Sequence, residues 1–214
     1  MRQNIQDLYI KDDFFKQAQH FFNQEGFIQL QEFFKESSVT ESALTFLSNS
    51  NEIQSLFQRH YSPLIENKYI FDSSKTPSNV LEFVEFFKSK SFMDYVEQLV
   101  GFSLQYNSCE ISKFTHKCFE LIHDSKITTS MLIDVYFFIT KDEFESQFGG
   151  DKVYTTYEEE LFYITPQNNT LTCVFRDESL RQYTKYINSL AKDKEYIQIK
   201  CEFEILGSLE EDLI

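Results

Sequence analysis

The sequence predicts an α+β fold in which an antiparallel jelly roll is buttressed by N-terminal helices. Two observations carry this prediction. Apolar residues recur at helical spacing before Gly101, and after Gly101 they form short runs typical of β-strands. A block of helices followed by a series of strands is characteristic of an α+β domain built around a jelly roll.

The first helix is predicted to begin at Asp12 or Asp13, since either side chain can cap the free N–H groups of the first turn. Gly26 is predicted to end it, because glycine readily takes the left-handed conformation that follows a helix. The alternating residues Phe27–Leu30 then predict a short strand. The apolar face of this helix comprises Phe14, Phe15, Ala18, Phe21 and Phe22.

Two further helical regions precede Gly101. One is predicted to start at Ser37 or Ser38, and the other opens at Thr76-Pro77-Ser78, where proline suits a first turn. The segment 52–76 between them shows no clear period and gives no prediction.

After Gly101 the strands are predicted one after another, with a half-buried strand expected over residues 183–187. The other predicted strands are Leu104–Phe114, Phe119–Ile122, Met131–Thr140, Val153–Thr156, Glu160–Ile164, Thr170–Phe175 and Tyr196–Ile205. We expect a single domain, with a helical layer and an initial strand in residues 1–100 and the jelly-roll core in residues 101–214.

The formal net charge of −14 predicts a surface that repels phosphate backbones, so no nucleic-acid partner is expected. A basic substrate or a basic protein partner fits this charge, and simple solubility is the alternative explanation. No apolar run reaches the roughly 18 residues of a membrane span, so no transmembrane segment is predicted. Without a secretory pattern at the N-terminus, an intracellular location is expected, either cytoplasmic or mitochondrial as part of a complex.

The cysteine pattern does not predict a metal knuckle, because no two cysteines have the CxxC spacing. Cys109, Cys118, Cys173 and Cys201 all lie in apolar or strand-like surroundings. We therefore expect reduced core residues.

Four segments, taken in order, resemble one protein family. Glu25–Phe34 resembles an "acid-Gly-apolar-apolar-x-apolar-x-x-Phe" strand, and Phe119–Asp124 followed by Met131–Ile139 resembles a "Tyr-x-Leu-x-His-x-Asp" strand with the long apolar strand after it. Phe148–Tyr154 resembles a "Gly-Gly-x-Leu" hairpin, and Glu159–Phe175 a "Pro-x-x-Asn-x-Leu-x-x-Phe" segment. Together they resemble the 2-oxoglutarate/Fe(II)-dependent dioxygenase superfamily and its prolyl-hydroxylase-like branch, which implies a double-stranded β-helix.

The resemblance also implies where an iron site would lie. Such enzymes hold Fe(II) with two histidines and one carboxylate. His123 matches the first histidine, but Ser125 stands where the carboxylate is expected. Asp124 would replace it only if the strand bulges, because neighbouring side chains on a strand point to opposite faces.

The second histidine and the cosubstrate anchor also depart from the family pattern. Aligning residues 180–183 with "Phe-His-x-Val" places Arg181 at the histidine, and a guanidinium has no lone pair for iron. Arg181 would instead pair with Asp124 or Asp134, or bind an anion. Lys194 and Lys200 are candidate anchors for 2-oxoglutarate or another anion, and surface lysines are the alternative interpretation.

These departures indicate a degenerate iron site made of His123, Asp124, Ser125 and Arg181. We therefore expect a catalytically inactive protein without cofactors that serves as a structural or interaction subunit of a larger protein assembly. One alternative is an active 2-oxoglutarate/Fe(II)-dependent protein hydroxylase, in which His123 and Asp124 bind the metal and Fe(II) and 2-oxoglutarate are the cofactors. The other is a small-anion binding module that uses the relic pocket.

Overall fold

The computed structural model describes residues 2–35, 41, 45, 47, 56–62, 66–72, 74, 76–122 and 130–206. The helices with described bounds are α1 (Asp12–Glu25), α2 (Ser78–Phe86) and α3 (Lys90–Val100). The predicted helix start at Ser37 or Ser38 lies outside the described residues. The strands are β1 (Phe27–Leu30), β2 (Phe57–Ser62), β3 (Glu66–Phe71), β4 (Leu104–Phe114), β5 (Phe119–Glu120), β6 (Leu132–Thr140), β7 (Lys152–Thr155), β8 (Glu160–Ile164), β9 (Thr170–Arg176), β10 (Arg181–Thr184) and β11 (Tyr196–Ile205).

All strands pair antiparallel in the order β1-β9-β6-β11-β4-β3-β5-β10-β7-β8, with β2 added on β3. The sheet folds over so that β9, β6, β11 and β4 form one layer and β5, β10, β7 and β8 form the other. Strand β3 joins the layers because it pairs with both β4 and β5. A hydrogen bond of 2.8 Å between the Tyr136 and Tyr154 hydroxyls shows that β6 and β7 face each other across the interior. The predicted α+β double-stranded β-helix is confirmed.

Four predicted strands have the observed bounds, namely β1, β4, β8 and β11. Strand β5 is shorter than predicted and ends at Glu120, and β10 begins at Arg181 and ends at Thr184 rather than covering residues 183–187. Strands β2 and β3 form in the segment that shows no sequence pattern. The sequence gives no signal for β3 because Asn67 and Lys68 are both buried although neither is apolar.

The helix ends follow the glycine predictions and depart from one capping prediction. Gly26 and Gly101 end α1 and α3 in the left-handed conformation, as expected. The predicted cap at Asp12 or Asp13 is wrong, since α1 begins at Asp12 after Lys11 and has no side-chain cap. Both aspartates lie inside the first turn, where their charges still favour the positive end of the helix dipole.

The main core is a cluster of aromatic rings between the helices and the outer face of the layer β9-β6-β11-β4. Phe34 lies at its centre and packs against five neighbouring rings at centroid distances of 4.7 to 6.1 Å. These neighbours are Phe33, Phe83, Phe86, Phe87 and Phe137. No described helix has the length and apolar character required to cross a membrane.

Two motifs of the family resemblance have structural roles. Gly149 has φ of 76°, and a Cβ atom there would lie 2.0 Å from the Tyr186 carbonyl oxygen, so only glycine fits. Asn169 has φ of 52°, and its side chain accepts a hydrogen bond from Phe34 N and donates one to Phe34 O. These residues fix loops against neighbouring strands and take no part in chemistry.

Candidate functional site

The candidate site is the interior of the jelly roll between the two layers. Because side chains alternate along a strand, one face of each strand lines this interior. Its described polar lining comprises Glu110 and Ser112 on β4, Glu120 on β5, Asp134 and Tyr136 on β6, Lys152 and Tyr154 on β7, Arg176 on β9, Gln182 and Thr184 on β10, and Gln198, Lys200 and Glu202 on β11.

One group of charges, which we call the Asp134 network, comprises Asp134, Arg176, Lys200 and Glu202. Asp134 is 0% exposed, and its carboxylate accepts hydrogen bonds from Arg176 Nε at 2.6 Å and Nη2 at 3.0 Å. Arg176 Nη2 also donates to Glu202 Oε1 at 3.1 Å, and Lys200 Nζ donates to the same oxygen at 2.6 Å. Two cations therefore balance two carboxylates.

Neutral hydroxyl groups extend the Asp134 network across the interior. Tyr154 donates to Asp134 Oδ2 at 2.9 Å, and Tyr136 donates to the side-chain oxygen of Gln182. Burial and the nearby Asp134 charge raise the pKa of Tyr136 and of Tyr154 well above the usual range. Both phenols therefore remain protonated donors at neutral pH.

A second group, which we call the Glu120 network, lies nearer to β3 and comprises Glu120, Lys68, Lys152, Glu110 and Thr184. Lys68 Nζ contacts Glu120 Oε1 at 2.8 Å and Glu110 Oε1 at 2.6 Å. Lys152 Nζ and the Thr184 hydroxyl both donate to Glu120 Oε2, at 2.6 and 2.8 Å. Glu120 is thus held by three donors.

The charge pairs shift the pKa values of their members towards the ionised forms. Burial opposes ionisation of Asp134, but Lys200 and Arg176 outweigh it and hold its pKa below the usual value. Burial likewise opposes the charge on Lys68, and the Glu120 and Glu110 carboxylates outweigh it and raise the pKa of Lys68. The side chains of Asp134 and Lys68 are therefore ionised at neutral pH, and each is paired with an opposite charge.

Arg181 lies at the start of β10, where the distal histidine was expected, but its side chain faces away from the interior. It donates to the Tyr157 hydroxyl at 2.9 Å and its guanidinium lies 4.9 Å from the centre of that ring, which belongs to an exposed turn. The residue of β10 that faces inward at this level is Gln182. The partner of Asp134 is Arg176, so the expected pairing of Arg181 with Asp134 is wrong.

The other predicted site residues fall in different places. His123, Asp124 and Ser125 lie outside the described residues. Lys194 lies apart from the Asp134 network, donating to the Glu143 carbonyl at 2.8 Å beside the Phe148 ring. Lys200 belongs to the Asp134 network, so of the two lysines it is the one that faces the interior.

The sequence interpretation did not identify Arg176 as a site residue, although a signal was present. Asp134 is the one charged residue in β6, and Arg176 ends the otherwise uncharged strand β9. Charges within buried strands require partners, so the two could have been matched.

The described residues do not fit an iron centre. Within them, no three side chains of His, Cys, Asp or Glu are grouped to hold a metal. The carboxylates of Asp134 and Glu120, which could serve as ligands, are bound by cations. Gln198 has a buried side-chain oxygen without a hydrogen-bond partner among the described residues, but an amide oxygen alone is a weak iron ligand.

Comparison with known families and sequences gives one long match and several short ones. The family model described as "Oxoglutarate and iron-dependent oxygenase degradation C-term" matches residues 1–212. Prolyl 3-hydroxylase OGFOD1 of Xenopus laevis is 30% identical over 91 residues, which cover 41% of this chain and 18% of that protein. The mouse protein of the same name is 29% identical over 94 residues, covering 41% and 16%. The match therefore spans less than a fifth of either relative.

Solved structures share the fold at low sequence identity. A Trichoplax adhaerens prolyl hydroxylase, solved with a peptide of hypoxia inducible factor, has a TM-score of 0.65 and 13% identity over 89% of each chain. A Pseudomonas putida prolyl-4-hydroxylase has a TM-score of 0.63 and 9% identity over 90% of this chain and 99% of the other. These similarities establish the prolyl-hydroxylase-like fold.

Proposed function

The chain belongs to the family of C-terminal domains of oxoglutarate- and iron-dependent oxygenases, and we propose that it is a catalytically inactive member that acts by binding protein. In this proposal the oxygenase fold serves as a scaffold for interaction. The partner is a protein with a basic, extended segment.

The observation that carries the proposal of inactivity is the Asp134 network. An oxygenase of this fold needs interior space and free ligands for a metal and a dicarboxylate. Here Arg176 binds Asp134 through two nitrogens, and Lys200 is already paired with Glu202. Freeing Arg176 would leave the fully buried Asp134 carboxylate without its bonded cation, which costs several kcal/mol.

The residues at the start of β10 support the same proposal. Arg181 faces outward, and the inward residue Gln182 accepts a hydrogen bond from Tyr136. Neither side chain has an imidazole nitrogen to offer to iron.

The test of inactivity measures iron binding and 2-oxoglutarate turnover on the full chain. We expect no stoichiometric Fe(II) uptake under anaerobic loading and no succinate formation, with the Pseudomonas putida prolyl-4-hydroxylase as positive control. One iron per chain, together with succinate formation that His123→Ala abolishes, would establish the active hydroxylase instead.

A thermal-shift series distinguishes the proposed protein-binding function from the anion-binding alternative. We expect 2-oxoglutarate and succinate to leave the melting temperature unchanged, because the interior cations are already paired. Stabilisation by either dicarboxylate that is lost in Lys200→Met would favour the anion-binding module.

The proposed interaction surface is the outer face of β8 and β10 with the turn before β8. Leu161, Tyr163 and Tyr157 are exposed there, and Tyr157 is 82% exposed. Within the described residues, β8 pairs only with β7, so its other edge is unpaired. An unpaired edge flanked by exposed apolar side chains suits strand addition by an extended segment.

Charge indicates the chemistry of that segment. Glu158, Glu159 and Glu160 stand at the beginning of β8, and the chain as a whole has a net charge of −14. Glu160 is bonded to the Tyr183 hydroxyl, while Glu158 and Glu159 are exposed. A segment with lysine or arginine beside this turn would gain favourable charge pairing and faster association.

A labelled peptide of alternating valine and lysine tests the surface, with a peptide of alternating valine and glutamate as its control. We expect the lysine peptide alone to bind, more weakly as salt is added. Reversing Glu158 and Glu159 to lysine, or changing Leu161 to serine, should each weaken binding about tenfold, equivalent to about 1.4 kcal/mol.

Leu8→Ser is the matched control, because Leu8 is also exposed but lies before α1. Equal binding of the two peptides, or equal effects of Leu161→Ser and Leu8→Ser, would rule out this surface.

A further inference from the structure

Two of the cysteines lie side by side in the middle of the sheet. Cys109 on β4 and Cys201 on β11 are direct partners in the antiparallel ladder, and their sulfur atoms are 3.1 Å apart. Directly opposed residues in such a ladder have Cα atoms about 4.5 to 5.5 Å apart, within the range that disulfides span. A bond between these sulfurs would therefore require little movement of the backbone.

The two thiols differ in exposure. Cys201 is 1% exposed, and burial raises the pKa of its thiol, which keeps it protonated at neutral pH. Cys109 is partly exposed as a residue, so of the two sulfurs we expect a reagent in solution to reach that of Cys109 first. This arrangement supplies one accessible sulfur for the first reaction and one adjacent sulfur to complete it.

We propose that Cys109 and Cys201 form a reversible cross-strand disulfide by exchange with a low-molecular-weight disulfide such as glutathione disulfide. The Cys109 thiolate attacks the reagent, the reagent S–S bond breaks, and one thiol leaves. The Cys201 sulfur then gives up its proton and attacks the Cys109 sulfur of the mixed disulfide. A second thiol leaves, so the protein loses two hydrogens and the reagent is reduced to two thiols.

The disulfide changes contacts at the junction of α2 and α3. In the reduced protein the Cys201 thiol lies within hydrogen-bonding distance, 3.5 Å, of the carbonyl oxygen of Phe87, the residue that directly follows α2. A disulfide has no S–H group, so this carbonyl loses its donor. The covalent link also joins positions 92 residues apart, which restricts the unfolded chain.

The experiment incubates the full chain with glutathione disulfide or with dithiothreitol and maps the peptides by mass spectrometry. We expect a linked pair of peptides containing Cys109 and Cys201, absent after dithiothreitol. The oxidised protein should melt roughly 10 °C higher. Hydrogen exchange at the amides of Lys88 and Ser89, which follow Phe87, should become faster relative to that of the sheet.

Two variants control for folding and for chemistry. Cys109→Ser should fold normally and lose both the linked peptides and the rise in melting temperature. Cys173→Ser removes another buried cysteine and should keep both. Glutathione that remains attached to Cys109 without a link to Cys201, or links that form equally with Cys173, would overturn the proposal.

Discussion

Replacing Arg176 with methionine tests whether the Asp134 network stabilises the interior of the jelly roll. Methionine keeps a long, flexible apolar side chain but lacks the charge and the N–H donors. Asp134, which is fully buried, would lose both of its bonds to the guanidinium and keep the hydroxyl of Tyr154. Lys200 remains nearby, but it is bonded to Glu202.

The structure sets the size of the effect. Breaking a buried ion pair by removing one partner costs about 3 to 5 kcal/mol, and we expect about 4 kcal/mol for Arg176→Met. Asp134→Asn should cost less, about 2 to 3 kcal/mol, because Arg176 keeps Glu202 as a partner and the amide oxygen still accepts a hydrogen bond. The double variant should cost about 4 kcal/mol, so that the coupling energy is about 2 to 3 kcal/mol.

Urea unfolding followed by circular dichroism measures these differences. A slope of about 2 kcal/mol per molar urea converts the Arg176→Met loss into a midpoint lowered by about 2 M. Lys90→Met is the control, since Lys90 forms an exposed pair with Asp94 at 2.8 Å and its loss should leave the urea midpoint nearly unchanged.

Two results would refute this reasoning. One is an Arg176→Met variant within about 1 kcal/mol of the wild type, which lies below the cost of a broken buried pair. The other is a double variant whose cost equals the sum of the single costs, which would show that Asp134 and Arg176 are not coupled.

Three further predictions concern pH and backbone conformation. The pKa of Asp134 is lower in the folded protein than in the unfolded chain. The ionised carboxylate therefore stabilises the fold fully above the unfolded pKa of about 4, and this stabilisation is lost as pH falls through the folded pKa. The unfolding free energy between about pH 5 and 2 should fall more steeply in the wild type than in Asp134→Asn. Gly149→Ala should cost about 3 kcal/mol or more in urea unfolding, whereas Gly26→Ala, with open space around its Cβ, should cost about 1 kcal/mol. Asn169→Ala should cost about 2 kcal/mol by the same measurement, because both hydrogen bonds to Phe34 are lost.

Each of these predictions has an outcome that contradicts it. Equal acid sensitivity of the wild type and Asp134→Asn would show that ionisation of Asp134 does not contribute to the pH dependence of stability. Equal costs at Gly149 and Gly26 would contradict the close contact with Tyr186. If Asn169→Gly costs much less than Asn169→Ala, the left-handed backbone and not the loss of the side-chain hydrogen bonds accounts for the cost.

The strands marked by apolar residues were predicted from the sequence, whereas β2 and β3, which are rich in polar residues, were missed. β4 and β11 were found because apolar residues mark them along most of their length. β3 was missed because Lys68 is buried by pairing with Glu120, which is distant in sequence, and no local pattern records such a partner. Long-range pairing therefore sets the limit of prediction for this fold.

The same limit applied to the candidate site. Arg181 was aligned with a ligand position, but a shift of one residue exchanges the two faces of a strand, and Gln182 faces the interior instead. The domain bounds, the compartment and the degenerate ligand set at His123, Asp124 and Ser125 stay predictions.

The Asp134 network also bears on the evolutionary history of the domain. Under the proposed function, a metal pocket would require several changes together, because removing Arg176 alone leaves Asp134 buried without its bonded cation and introducing a histidine at Gln182 leaves the interior filled. Each intermediate would be less stable than its parent and would not yet bind metal. Selection for folding alone would then be enough to keep an inactive domain of this kind from gaining a metal site.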